Sequence, residues 1–283
     1  MAGRIRLIAE GRGAIRLACV CVLGIAVIAL AISIKGWETA SLLLGGLLAL
    51  IAAMLICQIW WVIRDLTSQS ARARESAAEA EKHYISVLWR IQRFVEARDK
   101  YTRGHSERIG ALCERLARHM GLDEQMCGMM NQAGRLHDIG MVAIPEHILA
   151  KQGTMSIDSF RVVQKHCQIG YEVLRPLESL APVLKAIRCH HERMNGTGYP
   201  AGLSGDQIPL EARILAVADV YDALTHDRPH RPALTPLAAV RELRRCSPDG
   251  YDPGCVEALA EIMHADKLEE AMPAVEEPLA CAV

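Results

Sequence analysis

The fold is decided by the stretch AGRLHDIGMVAIP, residues 133–145, where a helix ends in two side chains that can bind metal. Apolar residues precede the pair at helical spacing, namely Met126, Met130 and Ala133. Gly140 predicts the end of that helix. His137 and Asp138 are therefore presented side by side at a helix terminus, where both can flank one ion. The Asp138 carboxylate can also bridge two ions through its two oxygens.

The residues around this stretch form one helical pattern after another, with no convincing run of alternating strand residues. The predicted helices lie near residues 103–120, 123–138, 156–174, 180–192, 209–225, 235–246 and 253–264. We therefore expect an all-α domain over residues 99–264. The acidic, Pro- and Ala-rich residues 265–283 predict a flexible tail.

The N-terminal residues carry two long uncharged runs, 17–34 and 40–63, each about the length that crosses ~30 Å of hydrocarbon as a helix. Arginines stand before the first run and after the second. Because positive residues stay on the cytoplasmic side, we expect residues 1–64 to form a two-helix transmembrane hairpin in the lipid bilayer of the inner membrane, with the α-helical domain in the cytoplasm. The alternative is a cleaved signal peptide followed by a buried helix, which the length and apolarity of the second run disfavour.

Residues 65–98 contain no Gly or Pro and predict a long linker helix that leaves the membrane. Its second half has an apolar stripe at helical spacing, made of Ile85, Leu88, Ile91 or Gln92, and Val95. The stripe is equally compatible with two arrangements. It could pair with a second copy of the chain, giving a homodimer that transmits signals, or it could belong to an exposed linker.

Composition excludes several classes of protein. The formal net charge is −1, so no broad basic surface predicts binding to DNA. The ten cysteines include no CxxC pair, which excludes a zinc ribbon and a thioredoxin-like motif. Reduced thiols of a cytoplasmic domain are the expected state of these cysteines.

Histidines and aspartates that could bind metal are scattered at or near the ends of the predicted helices. They are His105, His137, Asp138, His166, His190, His191 and Asp219. A lone histidine is usually a surface or packing residue, so the weight rests on the whole set. Asp219 and Asp222 lie at i and i+3 beside an apolar helix face, where a carboxylate is costly unless it is paired or bound to metal. The set exceeds what one ion needs and predicts a two-metal site, which suits attack on a phosphate ester by an activated water.

Several separated motifs resemble those of the HD-GYP subgroup of HD-domain phosphohydrolases. They are HDIG at 137–140, IP at 144–145, HHE at 190–192 leading into GYP at 198–200, RDKYTRGHS at 98–106 and ADVYDALT at 218–225. The resemblance covers roughly residues 85–262, and motifs in this order are highly specific. It implies an HD-domain helical bundle that acts as a metal-dependent phosphodiesterase, hydrolysing cyclic di-GMP to the linear dinucleotide, GMP or both.

The resemblance also implies roles for individual residues. One metal ion is assigned to His105, His137, Asp138 and Asp219, and a second ion, bridged by Asp138, to His166, His190 and His191. His137 and Asp138 would form the catalytic centre, and iron or manganese would supply the two divalent ions. Tyr101 stands where three-metal members have a glutamate, so two ions are favoured. The two cations would activate a bridging water and stabilise the leaving oxygen.

Substrate binding is assigned to Arg228, Arg231, Asp222 and Tyr199. The planar guanidinium groups of the two arginines suit a phosphodiester, and Tyr199 would contact a guanine or fix its own loop. The loop Gly198-Tyr199-Pro200 is further implied to offer a surface to a diguanylate cyclase.

The sequence departs from the family pattern at Met141, where members usually have a lysine that contacts substrate phosphate. A lost charge-assisted contact costs about 1.5–3 kcal/mol, which is about ten-fold to more than a hundred-fold in affinity or rate. Cys167 replaces a common proline, and Met194-Asn195 replaces an aromatic-acidic pair, but neither change removes an expected ligand.

Three functional hypotheses follow from these motifs. The first is an active, membrane-tethered cyclic di-GMP phosphodiesterase, which the retained metal ligands favour. The second is a catalytically weak module that binds nucleotide or recruits a cyclase, and Met141 is its main support. The third is an HD hydrolase for another nucleotide, which the GYP loop and the arginine pair disfavour.

Overall fold

The computed structural model describes residues 24–27, 29–30, 33–34, 37–97, 103–149, 155–228 and 231–271. The first predicted membrane span lies largely outside these residues, as do Tyr101 and most of the predicted tail. The chain divides into two compact units, Met1–Glu79 and Ala80–Val283.

The first unit contains most of helix α1 (Trp37–Glu96), which is 60 residues long. Among the described residues, α1 is the one helix long and apolar enough to cross a membrane; its most apolar window has a mean hydropathy of 2.5 and contains no buried residue. The second predicted span, 40–63, lies in this helix, and no break separates it from residues 65–96. The described residues therefore show one long apolar helix where the sequence predicts a two-helix hairpin.

The second unit begins within α1 and continues as a series of shorter helices. They are α2 (His105–His119), α3 (Glu124–Leu136), α4 (Glu146–Leu149), α5 (Ile157–Gln164), α6 (His166–Leu174), α7 (Leu184–Cys189), α8 (Leu210–Thr225), α9 (Pro236–Cys246) and α10 (Pro253–Ala271). Three short 3-10 helices accompany them at Ile139–Ala143, Glu178–Val183 and Gly205–Gln207. The described residues contain no strand, only two isolated bridges, so the all-α expectation is confirmed for them.

Three boundaries differ from the predicted ones. The helix predicted at 156–174 is divided at Lys165 into α5 and α6. The helix predicted at 180–192 begins as the 3-10 segment Glu178–Val183, which contains Pro182, and α7 starts only after it. Helix α10 continues to Ala271, beyond the predicted end of the domain at 264.

The core of the second unit is centred on α2, α3 and α8. Its fully buried side chains include Ile109, Leu116, Met130, Leu136, Ile214 and Leu215; burying each large aliphatic side chain contributes roughly 1.5–3 kcal/mol. Helices α2 and α3 cross closely, since a Cβ placed on Gly134 would lie 2.7 Å from the Cα of Gly110. This crossing brings the start of α2 beside the end of α3, and with them His105 and His137.

The apolar stripe of the linker helix packs on its own chain. Ile85 and Leu88 are 6% and 5% exposed and belong to the main core of the second unit. The carboxylate of Glu96 accepts a hydrogen bond from the main-chain N–H of Ser106 at 2.9 Å. The chain's own domain therefore covers Ile85 and Leu88, whereas Ile91 of the same stripe is exposed.

Candidate metal centre

The predicted metal ligands come together from five separate elements. His105 begins α2, His137 and Asp138 follow α3, His166 begins α6, His190 and His191 follow α7, and Asp219 lies within α8. His105, His137, His166 and His190 are each at most 4% exposed. Five imidazoles in so small a volume are unfavourable for packing alone, because each carries polar nitrogens that need partners.

The first group of side chains contains His105, His137 and Asp138, with Asp219 beside them. The possible ligand atoms of the first three lie within 4.8 Å of one another. His105 Nε2 is 3.4 Å from Asp219 Oδ1, and His137 Nε2 is 3.4 Å from Asp138 Oδ2. Two neutral nitrogens and two carboxylates are a donor set that suits iron, manganese or zinc.

The second group contains His166, His190, His191 and Cys167, whose possible ligand atoms also lie within 4.8 Å of one another. The ring centroids of His166 and His190 are 5.5 Å apart, and those of His166 and His191 are 5.2 Å apart. Sequence reasoning treated Cys167 only as a departure from the family pattern, so its place in this group was missed. The available signal was its position directly after His166.

Asp138 connects the two groups. Its Oδ2 faces His137 Nε2 at 3.4 Å, and its Oδ1 faces His166 Nε2 at 3.3 Å. One oxygen of the carboxylate is thus directed toward each group, which is the arrangement that a bridging carboxylate requires.

The orientation of three imidazoles is fixed by main-chain carbonyls. The Nδ1 atoms of His137, His166 and His190 lie 2.8, 2.7 and 2.7 Å from the carbonyl oxygens three residues earlier. A carbonyl only accepts, so each Nδ1 carries the proton and each Nε2 keeps its lone pair. The Nε2 of His190 is buried and has no hydrogen-bond partner among the described residues. The Nε2 atoms of these three histidines, which are not used by the carbonyls, fit a bound divalent cation.

Asp222 contacts the Nδ1 side of the His105 ring, whereas the Nε2 side faces Asp219. Its Oδ2 lies 2.7 Å from His105 Nδ1, and Arg108 donates to both of its oxygens at 2.6 and 3.0 Å. The side chain is 4% exposed. This placement does not fit the predicted contact of Asp222 with substrate, because both oxygens are already engaged inside the protein. Arg108 was not foreseen as part of the site.

Electrostatics favour ionised Asp138 and Asp219, and they shift the pKa values of the imidazoles in opposite directions in the two groups. Burial opposes ionisation of Asp138 and Asp219, yet the surrounding histidines lower the pKa of both carboxyls below their usual value. Burial and the neighbouring imidazoles lower the pKa of His190, and burial lowers that of His191 to about 4. In the first group, burial opposes the charge of both histidines, but hydrogen bonds to Asp219 and Asp222 raise the pKa of His105 to about 10, and the neighbouring Asp138 carboxylate raises the pKa of His137.

The predicted GYP loop lies against the second group. The ring centroid of Tyr199 is 4.8 Å from that of His191 and 5.9 Å from that of Phe160. The loop approaches the main chain of Glu192 so closely that a Cβ on Gly198 would lie 2.6 Å from the Glu192 carbonyl carbon. The Glu192 carboxylate, 2% exposed, accepts hydrogen bonds from the N–H groups of Ala201 and Leu203, which lie in and just after this loop. It therefore ties the loop to the pair of histidines.

The predicted phosphate-binding arginines lie after α8. The guanidinium of Arg231 donates to the carbonyl oxygens of Ala223, Leu224 and Pro232 at 2.8–3.0 Å. Most N–H groups of this guanidinium are therefore bound to carbonyl groups, two of which belong to the C-terminal turn of α8. Arg228 and Arg231 are paired through their main chains at 2.9 and 3.0 Å, and both are partly exposed.

Comparison with curated proteins finds three informative relatives. The chain is 40% identical over 195 residues to the cyclic di-GMP phosphodiesterase response regulator RpfG of Xanthomonas campestris pv. campestris, covering 68% of this chain and 51% of the relative. It is 40% identical over 177 residues to 3'3'-cGAMP-specific phosphodiesterase 2 of Vibrio cholerae, with coverages of 62% and 34%. It is 36% identical over 194 residues to a cyclic di-GMP phosphodiesterase of Thermotoga maritima, with coverages of 67% and 52%. The chain thus spans about a third to a half of the length of these relatives.

Two solved structures share the fold. One is an HDG"Y"P protein from Bdellovibrio bacteriovorus, with a TM-score of 0.50, 19% identity, and coverage of 66% of this chain and 64% of that one. The other is the cyclic GMP-AMP specific phosphodiesterase V-cGAP3 of Vibrio cholerae, with a TM-score of 0.51, 18% identity, and coverages of 66% and 50%. The family model described as HD domain matches residues 91–255, a segment that contains every predicted metal ligand. This match, the shared helical fold and the histidine-aspartate centre together establish that the chain belongs to the HD-domain family.

Proposed function

We propose that the chain is a metal-dependent phosphodiesterase that hydrolyses cyclic di-GMP to the linear dinucleotide, GMP or both. The observation that carries the proposal is the Asp138 carboxylate, which directs one oxygen to the first group of ligands and the other to the second. The relatives, which are named as phosphodiesterases of cyclic di-GMP or of 3'3'-cGAMP, support cyclic dinucleotides as the substrate class.

The residues present fit two divalent ions. His105, His137, Asp138 and Asp219 would hold one ion, and His166, His190 and His191 would hold the other, with Asp138 shared. The unpartnered Nε2 of buried His190 is an atom that a cation would satisfy. Iron or manganese is the proposed metal, because mixed imidazole and carboxylate donors suit both.

The chain's own residues would bind the metal ions and position the substrate around them. Two bound cations would supply an activated water and a positive field for the phosphate oxygens. Main-chain carbonyls hold the imidazoles in the tautomer that ligation requires, and Asp222 orients His105. Arg228, with the two remaining N–H donors of Arg231, would orient the phosphodiester. Tyr199, beside His191, would contact the base or hold the loop.

A second candidate function is a catalytically weak module that binds a cyclic dinucleotide or recruits a cyclase through the loop 198–200. Met141 favours it, because this partly exposed side chain follows Asp138 in the 3-10 helix Ile139–Ala143 and brings no positive charge to the centre. Binding without turnover would be the signature of that module.

We further propose that α1 anchors the domain to the lipid bilayer of the inner membrane, with the metal centre in the cytoplasm. The apolar window without a buried residue supports this placement, since such a surface is unfavourable in water. The guanidinium of Arg64 lies 5.2 Å from the Trp60 ring, as expected for a pair at the membrane interface. Pairing with a second copy through the linker helix, residues 65–98, stays a prediction.

The test uses the full chain in detergent, loaded with Mn²⁺ or, without oxygen, with Fe²⁺. It is incubated separately with cyclic di-GMP and 3'3'-cGAMP, and the products are followed by chromatography. We expect cleavage of cyclic di-GMP that His137→Ala abolishes, and that His147→Ala, a change at an exposed histidine, leaves intact. Cleavage of 3'3'-cGAMP alone would reassign the substrate. Tight binding without cleavage would establish the weak module instead.

A further inference from the structure

The second group of ligands contains a side chain that the family resemblance leaves unexplained. We propose that the thiolate of Cys167 is a further ligand of the ion held by His166, His190 and His191. This sulfur would make the second half of the centre select softer divalent ions, such as Zn²⁺ or Co²⁺, over Mn²⁺. The inference rests on the two-metal function proposed above and adds a donor atom to it.

The separation of two donor atoms supports this role. Cys167 Sγ lies 3.4 Å from His166 Nε2. Bond lengths of about 2.05 Å to nitrogen and about 2.3 Å to sulfur, at a tetrahedral angle, place two such donors about 3.6 Å apart. The thiol and the imidazole of these adjacent residues therefore already stand at the spacing that a shared ion would impose.

The nitrogen that faces the thiol is the one available to metal. The Nδ1 of His166 is used by the Val163 carbonyl at 2.7 Å, so its lone pair is on Nε2. Cys167 itself is fully buried. A buried sulfur and a buried nitrogen thus converge on one point from neighbouring positions of the same helix.

An independent observation at His190 points to a bound cation at this place. His190 is fully buried, and its Nε2 has no hydrogen-bond partner among the described residues, although its Nδ1 is satisfied by the Ile187 carbonyl. An unsatisfied buried acceptor is costly. The donor atoms of His190, His191, His166 and Cys167 lie within 4.8 Å of one another, so one ion would satisfy this nitrogen and meet the sulfur as well.

The balance of charge between the two groups favours a thiolate. The first group has the carboxylate of Asp219 in addition to the shared Asp138. The second group would otherwise offer only neutral imidazoles besides Asp138. When an ion binds, the thiol proton is released to solvent and a sulfur lone pair forms the bond to the metal. Each ion would then have one anionic ligand of its own.

The first test loads the full chain in detergent with Co²⁺ and records its absorption spectrum. We expect a sulfur-to-cobalt charge-transfer band in the near ultraviolet that Cys167→Ser removes. Cys189→Ser is the matched control, because this buried thiol directly precedes His190 but lies outside the group, and it should keep the band. Cys167→Ser should also lower the affinity for Zn²⁺ about ten-fold or more, with a much smaller effect on Mn²⁺.

The second test needs no variant and therefore does not depend on the folding of one. X-ray absorption of the zinc-loaded wild-type chain should show a sulfur neighbour at about 2.3 Å besides nitrogen and oxygen. A shell of nitrogen and oxygen alone would overturn the role of Cys167 and leave the metal centre intact. Failure to bind any divalent ion would instead overturn the proposed function together with this inference.

Discussion

The carboxylate of Asp222 fixes the orientation of the His105 imidazole, because its Oδ2 lies 2.7 Å from the Nδ1 of that ring. Arg108 donates to both oxygens of the same carboxylate, which keeps it ionised and fixed. Because the Nδ1 side of the ring is held by an anion, Nε2 of His105 faces Asp219 and the first group of ligands, where a bound cation would take the place of its proton. Asp222 is therefore a positioning residue that acts through His105.

Replacing Asp222 by Asn should weaken binding of the first ion about ten- to a hundred-fold. The amide keeps the size of the side chain but removes the charge that orients the imidazole and raises its basicity. Asp158→Asn is the matched control, since that carboxylate is exposed on α5. Affinities can be measured by titrating metal against a competing chelator. Equal affinities for the two variants would contradict the positioning role.

Replacing Glu192 by Gln should loosen the GYP loop. Each oxygen of Glu192 accepts from a different main-chain N–H, at 2.7 Å from Ala201 and 3.0 Å from Leu203. Glutamine has one acceptor oxygen, so one of these N–H groups would face an NH₂ group and lose its partner. We expect the free energy of unfolding to fall by about 1–3 kcal/mol and the KM for the cyclic dinucleotide to rise.

The control for Glu192 is Glu178→Gln, at an exposed position in the second unit. Urea unfolding should place this variant within about 0.5 kcal/mol of wild type. If the Glu192 variant were equally stable and its KM unchanged, the carboxylate would not be holding the loop.

Replacing Gly140 by Ala should disturb the second group of ligands through the backbone. A Cβ at this position would overlap the carbonyl oxygen of His166 and lie 2.7 Å from the main-chain nitrogen of Gly170. Backbone atoms cannot move aside as a flexible side chain can, so helix α6 must shift and carry His166 with it. We expect a loss of about 1–3 kcal/mol or more in unfolding free energy and a weaker second metal site.

Gly128→Ala is the matched control, and we expect it to have the opposite effect on stability. Nothing lies within 4 Å of a Cβ at that position, and it is an exposed position in the interior of α3. An alanine there should stabilise the helix by up to about 1 kcal/mol. Thermal unfolding of the two variants, with and without metal, compares them directly. Similar effects of both substitutions would show that the approach of Gly140 to α6 is not tight.

The sequence could predict the seven proposed ligands as one set because six of them stand at or next to a helix end, Asp219 lies on an apolar helix, and the motifs fix their order. The contacts that position these ligands could not be predicted from the sequence. Arg108 binds Asp222 from a helix 114 residues earlier, and nothing in the local sequence of either residue indicates that contact. The linker stripe was likewise visible as Ile85 and Leu88, but periodicity shows only that a face is apolar. It does not show whether a second copy or the chain's own domain covers that face.

Arg231 shows a related limit. The family resemblance implies phosphate binding by this residue, and a planar guanidinium suits a phosphodiester. The same fork also suits the unpaired carbonyls at a helix end, and it donates to those of Ala223 and Leu224. A sequence motif identifies a hydrogen-bond donor, but the folded chain determines which acceptors reach it first.

Replacing Met141 by Lys should raise turnover of cyclic di-GMP. Met141 follows Asp138 in the 3-10 helix Ile139–Ala143 and is partly exposed, so a lysine there would have a route to solvent and to a bound phosphate. A charge-assisted hydrogen bond of about 1.5–3 kcal/mol corresponds to an increase of about ten-fold to a hundred-fold in kcat/KM. Val142→Lys is the matched control, because it adds the same charge one residue later at a position that is 51% exposed. An equal gain in both variants would mean that general electrostatic attraction is responsible. No gain from Met141→Lys in an otherwise active enzyme would mean that the missing cation does not limit the reaction.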